Sequence, residues 1–140
     1  MISINENRLK HSLAVARLME QKAREMNWQE EKCREMFVLG YLHDIGYEYV
    51  EKQMDHPVVG GLLLKETNYK YWREVYYHGS LNPDYESEEL TLLNTCDMLV
   101  NSYGEVVSSQ ERLEDIGNRY GKDSEQYHSA KLLMQKLNLL

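Results

Sequence analysis

A histidine–aspartate pair at the end of an apolar helical run constrains this chain more than any other feature. The run has apolar residues at helical spacing and leads into residues 41–47, which read YLHDIGY. Consecutive side chains on a regular helix diverge by about 100°, so His43 and Asp44 can serve one centre only where the helix ends. Gly46 gives the backbone the freedom to turn there. An imidazole beside a carboxylate suits a borderline or hard divalent cation better than a structural zinc site, which prefers thiolates.

Further potential ligands accompany this pair, one upstream and the others downstream. They are His11, His56, His78 and Asp97, and each falls on a segment with helical spacing. A lone histidine on an apolar face is usually a packed core residue. His78, beside a predicted helix C-terminus, could also be stabilised there as a cation. The ordered series His, His-Asp, His, His, Asp instead favours a metal site, in which the imidazoles must be neutral.

With this ordered set, the chain resembles the HD superfamily of metal-dependent phosphohydrolases, in the variant whose motif reads HDIG. The resemblance extends from about residue 8 to residue 101. It implies an all-α fold, a single HD-domain-like bundle of about six to seven helices. The shared ligands that it implies are His11, His43, Asp44 and Asp97. His56 and His78 match the additional histidines of the members that hold two metal ions.

The position of Asp97 is difficult to explain without a metal ion. It lies on the apolar face of the predicted helix that begins at Ser87 and ends at Gly104. Burying an unpaired carboxylate there would be unfavourable by several kcal/mol. Residues 74–111 contain no lysine or arginine that could pair with it locally. A metal ion resolves this conflict.

Several side chains near the series are predicted to act on the substrate. Arg8 precedes His11 in an R-x-x-H arrangement that several HD proteins share, and it could hold a phosphate. Tyr47 stands where the best-known HDIG proteins continue with lysine, so it offers a hydrogen bond without a cation. The candidates for substrate binding are Arg8, Tyr47, Asn94 and Asn101. The two asparagines flank Asp97 at i−3 and i+4 on the predicted helix, where they could contact either the ligand residues or the substrate. The candidates for catalysis are Asp44, Glu48 as a proton-transfer group and Lys52 as a replacement cation. For Arg8, Glu48 and Lys52, a solvated surface position is the alternative.

The length of 140 residues predicts one domain over the whole chain, residues 1–140. The metal-site core covers about residues 8–101. Two C-terminal helices follow over residues 108–139, and the first of them begins at a capping box with Ser108 and Glu111. These helices carry no part of the ligand series, so we expect them to wrap the core or to form the contact of a homodimer.

Charge and composition exclude several classes of partner. The net charge of −7 argues against binding nucleic-acid polymers, although bound metal ions would reverse the sign of the local field for a small substrate. No apolar window approaches the roughly 18 residues of a membrane span, and the N-terminus lacks the apolar core of a signal peptide. Cys33 and Cys96 are interpreted as buried free thiols. We therefore expect a cytoplasmic protein without a membrane partner.

These residues together predict a phosphohydrolase that uses metal-activated water. Asp44 would bridge two ions, whose remaining ligands are His11, His43 and Asp97 for one and His56 and His78 for the other. The mixed nitrogen and oxygen ligands suit one or two ions of Fe, Mn, Co, Ni or Zn. The expected substrate is a small phosphorylated metabolite, foremost a nucleotide or dinucleotide. The alternatives are a catalytically silent sensor domain that binds a nucleotide or a metal, and an ordinary helical bundle with core histidines.

Overall fold

The first two helices of the chain pack against each other and carry two of the predicted ligands at or near their ends. The structure, a computed structural model, describes residues 5–49 and 55–140, with the backbone alone for residues 48 and 49. Helix α1 (Glu6–Glu25) packs against helix α2 (Glu30–Leu42). Gly40 allows the two backbones to meet, because a Cβ atom at this position would lie 2.7 Å from the Cα of Ala16. The pair of helices thereby holds His11 and His43 on neighbouring elements.

The remaining described elements are also helical. A 3₁₀ helix spans Ile45–Tyr49, and it is followed by α3 (His56–Glu66), α4 (Trp72–Tyr77), α5 (Glu88–Asp97), α6 (Ser109–Tyr120) and α7 (Glu125–Lys136). The described residues contain no β-strand, only an isolated bridge between Val100 and Val106. The predicted all-α bundle is confirmed. None of the described helices combines the length and apolarity that crossing a bilayer requires; the cytoplasmic location stays a prediction.

The buried apolar side chains form two clusters. The larger one joins α1, α2, α4 and α5, and its fully buried members include Val15, Met19, Met36, Leu39, Val75 and Leu93. The smaller one lies between α6 and α7 and includes Met98, Leu113, Ile116, Leu133 and Met134. Through Met98, this second cluster attaches the C-terminal helix pair to the segment that follows α5. The single-domain extent and a dimer contact through these helices stay predictions.

Helix α5 is shorter than its sequence pattern predicts. It ends at Asp97 rather than at Gly104, which instead adopts a left-handed φ of 82° in the turn that follows. Gly104 also passes close to α1, since a Cβ atom there would lie 2.7 Å from the carbonyl oxygen of Lys10. Asp97 therefore lies at a helix terminus and not between two helical turns.

The capping box that begins α6 is confirmed. The Ser108 hydroxyl accepts a hydrogen bond from the backbone N–H of Glu111 at 3.1 Å, and the Glu111 carboxylate accepts one from the backbone N–H of Ser108 at 3.3 Å.

We expect Ser108→Ala to lower the free energy of unfolding by about 1 kcal/mol, the usual effect of losing an N-cap. Urea denaturation measures it, with the exposed neighbour Gln110→Ala as the control at no more than about 0.5 kcal/mol. Equal effects of the two substitutions would contradict the role of the cap.

Candidate metal centre

Helix termini bring the predicted ligands to one place. His43 directly follows α2, His78 directly follows α4, and Asp97 is the last residue of α5. His56 is the first residue of α3, and His11 comes from the second turn of α1. At a terminus, a side chain can turn away from the face of its own helix. The C-terminal ends of α2 and α5 also carry partial negative charge, which favours a cation among them.

The two oxygens of the Asp44 carboxylate face two different pairs of histidines. Its Oδ2 lies 3.1 Å from Nε2 of His43 and 3.7 Å from Nε2 of His11. Its Oδ1 lies 3.1 Å from Nε2 of His56 and 3.5 Å from Nε2 of His78. Asp44 therefore stands between two sets of nitrogen ligands, the position from which one carboxylate can contact two cations.

Asp97 completes one of these sets. Its Oδ1 lies 2.8 Å from Nε2 of His11 and 3.5 Å from Nε2 of His43. Two overlapping groups of potential ligand atoms result, each with all its atoms within 4.8 Å of one another; they are His11, His43 and Asp97, and His43, Asp44 and His78. Nε2 of His56 lies 3.0 Å from Nε2 of His78, beside the second group.

Backbone carbonyls orient three of the imidazoles. In each, Nδ1 lies at hydrogen-bond distance from a carbonyl oxygen, which is that of Asn101 for His11 (3.0 Å), of Gly40 for His43 (2.6 Å) and of Val75 for His78 (2.6 Å). A carbonyl oxygen only accepts, so Nδ1 donates and carries the proton. Nε2 is then the nitrogen whose lone pair faces the centre, which is the arrangement that fixes the tautomer of metal-binding histidines.

One buried nitrogen tests whether a cation fits here. His43 is 0% exposed, and its Nε2 is one of two buried side-chain polar atoms in the described residues that have no hydrogen-bond partner. Leaving such an atom unsatisfied is unfavourable by about 1–3 kcal/mol. Nε2 faces the carboxylates of Asp44 and Asp97, and mixed imidazole and carboxylate ligands suit a divalent transition metal. The residues present therefore fit a metal ion.

The electrostatics of the centre also call for positive charge. Burial alone would raise the pKa of Asp44, but the neighbouring histidines, His43 foremost, hold it well below its usual range. Asp97 behaves in the same way because His11 and His43 outweigh its burial. Burial lowers the pKa of His78, which favours a neutral ligand over a helix-capping cation. Although burial opposes it, Asp44 and Asp97 raise the pKa of His43 well above its usual value. The two buried carboxylates therefore favour positive charge at this centre.

Comparison with known proteins places this centre in a family. A family model described as HD domain matches residues 8–101, which is more than half of the chain and includes every predicted ligand. The chain belongs to the HD domain family. The resemblance inferred from the motif is thus confirmed. Comparisons with curated proteins and with solved structures give no match. Helices α6 and α7 lie beyond the matched residues.

A cavity of about 870 Å³ adjoins the ligands of the HD domain. Helix α6 contributes Arg112, Arg119 and Tyr120 to its lining. The sequence showed that no lysine or arginine lies near Asp97 along the chain, but it did not reveal this cationic partner on α6. Nη2 of Arg112 lies 3.7 Å from Oδ1 of Asp97, and Nε donates a hydrogen bond to the Asp97 backbone carbonyl at 3.2 Å. No spacing rule along the chain signals a contact between residues on two different helices.

Two of the predicted substrate-binding residues line the cavity as a stack. The guanidinium carbon of Arg8 lies 4.1 Å from the centre of the Tyr47 ring, and the Tyr47 ring stacks on His56 at 3.8 Å. Burial raises the pKa of Tyr47, so its hydroxyl is a neutral donor. The stack connects a potential phosphate-binding guanidinium to a potential metal ligand.

The other two predicted substrate-binding residues do not reach this cavity. Neither Asn94 nor Asn101 belongs to the cavity lining among the described residues. The side chain of Asn94 accepts a hydrogen bond from the backbone N–H of Gly79 at 2.9 Å. The side chain of Asn101 binds within its own turn, where its oxygen accepts from the backbone N–H of Glu105 at 3.0 Å. Their predicted role in substrate binding is therefore not supported by the structure.

Two predicted catalytic residues lie beyond what the structure describes. Lys52 lies outside the described residues, and for Glu48 only the backbone is described, in the 3₁₀ helix. Their catalytic roles stay predictions. Asp44, the third candidate, lies at the centre of the ligand cluster.

Proposed function

We propose that this HD domain is a metal-dependent phosphohydrolase and that its substrate is a small phosphorylated metabolite, foremost a nucleotide or dinucleotide. The observation that carries the proposal is the position of the Asp44 carboxylate, with His43 and His11 facing one oxygen and His56 and His78 facing the other. The proposed metal ligands are His11, His43, Asp44, His56, His78 and Asp97.

The protein's part in the reaction is to hold the ligand side chains in fixed orientations and away from bulk water. A bound divalent ion (Fe, Mn, Co, Ni or Zn, singly or as a pair) would supply a Lewis acid and lower the pKa of water. The carbonyls of Gly40 and Val75 fix the rings of His43 and His78 so that Nε2 faces inward. His11, His43 and Asp97 are all buried, which limits competition from bulk water for the ion.

The size and lining of the cavity favour a substrate that contains both a phosphate group and an aromatic ring. Its volume of about 870 Å³ is within the range of about 300–1,000 Å³ typical of small-molecule sites. Arg8 and Arg119 offer guanidinium groups for phosphate oxygens. The lining also contains aromatic rings on which a base can stack, namely Tyr47, Tyr76, Tyr77, Tyr103 and Tyr120. A nucleotide matches both kinds of group.

A catalytically silent sensor domain is the second candidate, and the identity of Tyr47 favours it. The residue after the HDIG motif here is a neutral donor stacked on His56 rather than a lysine. Such a site can hold a phosphorylated ligand through hydrogen bonds and the Arg8 guanidinium without turning it over.

Metal analysis followed by a phosphate-release screen tests these candidates. Protein purified without chelator or affinity metal is expected to retain about one or two divalent ions per chain and to release phosphate from at least one nucleotide. Retained metal without turnover of any phosphoester would identify the sensor. Absence of metal, even after addition of Mn²⁺ or Co²⁺, would leave an ordinary helical bundle with core histidines.

Arg8 provides a more local test of substrate binding. We expect Arg8→Met to raise KM for the phosphorylated substrate about tenfold, because a hydrogen bond to a charged group contributes about 1.5–3 kcal/mol, while kcat changes less. Arg8→Lys keeps the charge but not the planar fork, so it should restore part of the loss. Steady-state kinetics measure both, with Arg34→Met on the surface of α2 (66% exposed) as the control. Unchanged KM in Arg8→Met would exclude this contact.

A further inference from the structure

Arg112 links the C-terminal helix pair to the metal centre. Its side chain is only 13% exposed, although arginine is mostly found at protein surfaces. The guanidinium contacts two acidic residues. Its Nε and Nη2 face Asp97, and its Nη1 donates a hydrogen bond to Oδ2 of Asp115 at 3.1 Å. A buried guanidinium that contacts a proposed metal ligand calls for an explanation beyond surface charge.

The position of Asp97 at the end of α5 explains the first of these contacts. The last carbonyls of a helix have no donor within the helix, and the Asp97 carbonyl receives one from Nε of Arg112 at 3.2 Å. A cation is also favourable at this end of the helix dipole. The hydrogen bond fixes the backbone of Asp97 itself, and with it the distance of 2.8 Å between its carboxylate and Nε2 of His11.

Asp115 extends this contact to the turn that follows α5. Its carboxylate accepts hydrogen bonds from the backbone N–H of Ser102 at 3.0 Å and from the Ser102 hydroxyl at 2.9 Å. The carbonyl of Asn101, the residue before it, orients His11 through Nδ1 at 3.0 Å. Arg112 and Asp115 together therefore hold both ends of the segment 97–102, which contains one proposed ligand and the group that orients another.

The pairing also explains how a cation can lie near a metal site without displacing the metal. Asp115 compensates the charge of Arg112, so the pair presents little net charge to Asp97. Its effect on the centre is then geometric rather than electrostatic. We propose that Arg112 is a positioning residue for the metal centre and that α6, beyond the matched HD segment, is a working part of that centre. This inference rests on the proposed metal centre but does not require that the protein hydrolyses a substrate.

Titration of the metal-depleted protein with Co²⁺ tests this role, because the visible absorption of bound Co²⁺ reports ligand geometry. We expect Arg112→Met to weaken Co²⁺ binding about ten- to a hundredfold, the usual effect of losing a group that supports a metal ligand, and to change the Co²⁺ spectrum. Arg112→Lys should restore part of the affinity, and Asp115→Asn should lose part of it. Arg34→Met, an exposed arginine on α2, is the matched control and should resemble the unaltered protein.

The outcomes separate this role from the proposed function. A folded Arg112→Met variant with unaltered Co²⁺ affinity and spectrum would overturn it. If Arg112→Met does not fold, Arg112→Lys and Asp115→Asn decide, and unaltered Co²⁺ affinity in both overturns it as well. Failure of the unaltered protein to bind Co²⁺ would overturn the metal centre and this role together. Co²⁺ binding that depends on Arg112, without phosphate release from any substrate, would support the role and reject only the hydrolase.

Discussion

Asp44→Asn is expected to abolish metal retention and phosphate release together. The substitution keeps the shape of the side chain, but it replaces one oxygen with an NH₂ group and removes the negative charge. Both oxygens of Asp44 are engaged, Oδ2 at 3.1 Å from His43 and Oδ1 at 3.1 Å from His56. Asn has a single oxygen, so it cannot offer an oxygen ligand beside both sets of histidines at once. We expect retained metal to fall below detection and phosphate release to fall by about two to three orders of magnitude.

Matched variants separate this effect from a general loss of fold. Asp123→Asn removes the same charge at an exposed position before α7 and should retain metal and activity. His56→Ala leaves His11, His43 and Asp97 in place, so it should reduce the metal content without abolishing it. Elemental analysis of the three purified variants, with thermal melting to confirm that each is folded, makes the measurement. A folded Asp44→Asn protein with unaltered metal content would remove Asp44 from the ligand set.

Three members of the ligand series, His43, Asp44 and Asp97, could be predicted from the sequence because each conflicts with its local pattern. The resemblance to HD proteins then added the remaining histidines. His43 and Asp44 interrupt an apolar run, and Asp97 places a carboxylate on an apolar helical face without a local cation. Such conflicts can be found without knowing the fold, and one cation resolves them all. The structure places these side chains around one buried centre, and the family match covers the same segment.

The surroundings of the ligands could not be predicted in this way. The expectation for Asn101 assumed that α5 continues beyond Asp97, so that a residue four positions later shares its face. Because α5 ends at Asp97, Asn101 lies in a turn, where its backbone carbonyl accepts a hydrogen bond from His11. Arg112 was missed for a different reason. Helical spacing indicates which face of α6 is buried but not which helix that face meets.

The sequence correctly indicated that glycine is needed at position 46, but for the wrong physical reason. The sequence suggested that glycine is needed for backbone freedom, but the left-handed glycines of the described chain are Gly79, Gly104 and Gly121. Gly46 is needed because of close contact. A Cβ atom at position 46 would lie 1.8 Å from the carbonyl oxygen of His56 and 2.8 Å from the backbone nitrogen of Gly60. The 3₁₀ helix thus touches the start of α3 directly, which brings His56 to Asp44.

Gly46→Ala is therefore expected to damage both stability and metal binding. The atoms that an added Cβ would meet belong to the backbone of α3, so no side-chain rotation can relieve the overlap. Inserting one methyl group into a packed interior costs about 1–3 kcal/mol and occasionally more, and this contact belongs at the upper end, at about 3 kcal/mol. The overlap is relieved only if the start of α3 moves away from position 46. This movement would lengthen the distance between Nε2 of His56 and Oδ1 of Asp44, which is now 3.1 Å. Metal affinity should fall at least about tenfold.

Gly121→Ala separates the loss of stability from the loss of metal. Gly121 has a φ of 94° and nothing within 4 Å of an added Cβ, so alanine there is strained by about 1–3 kcal/mol without any collision. It lies at the C-terminal end of α6, and no atom of α3 lies within 4 Å of a Cβ atom added there. Urea denaturation should show both variants destabilised, whereas Co²⁺ titration should show weakened binding in Gly46→Ala alone. If both variants bind Co²⁺ equally well, the approach of α3 to Gly46 does not position His56, and the second set of ligands must be held by other contacts.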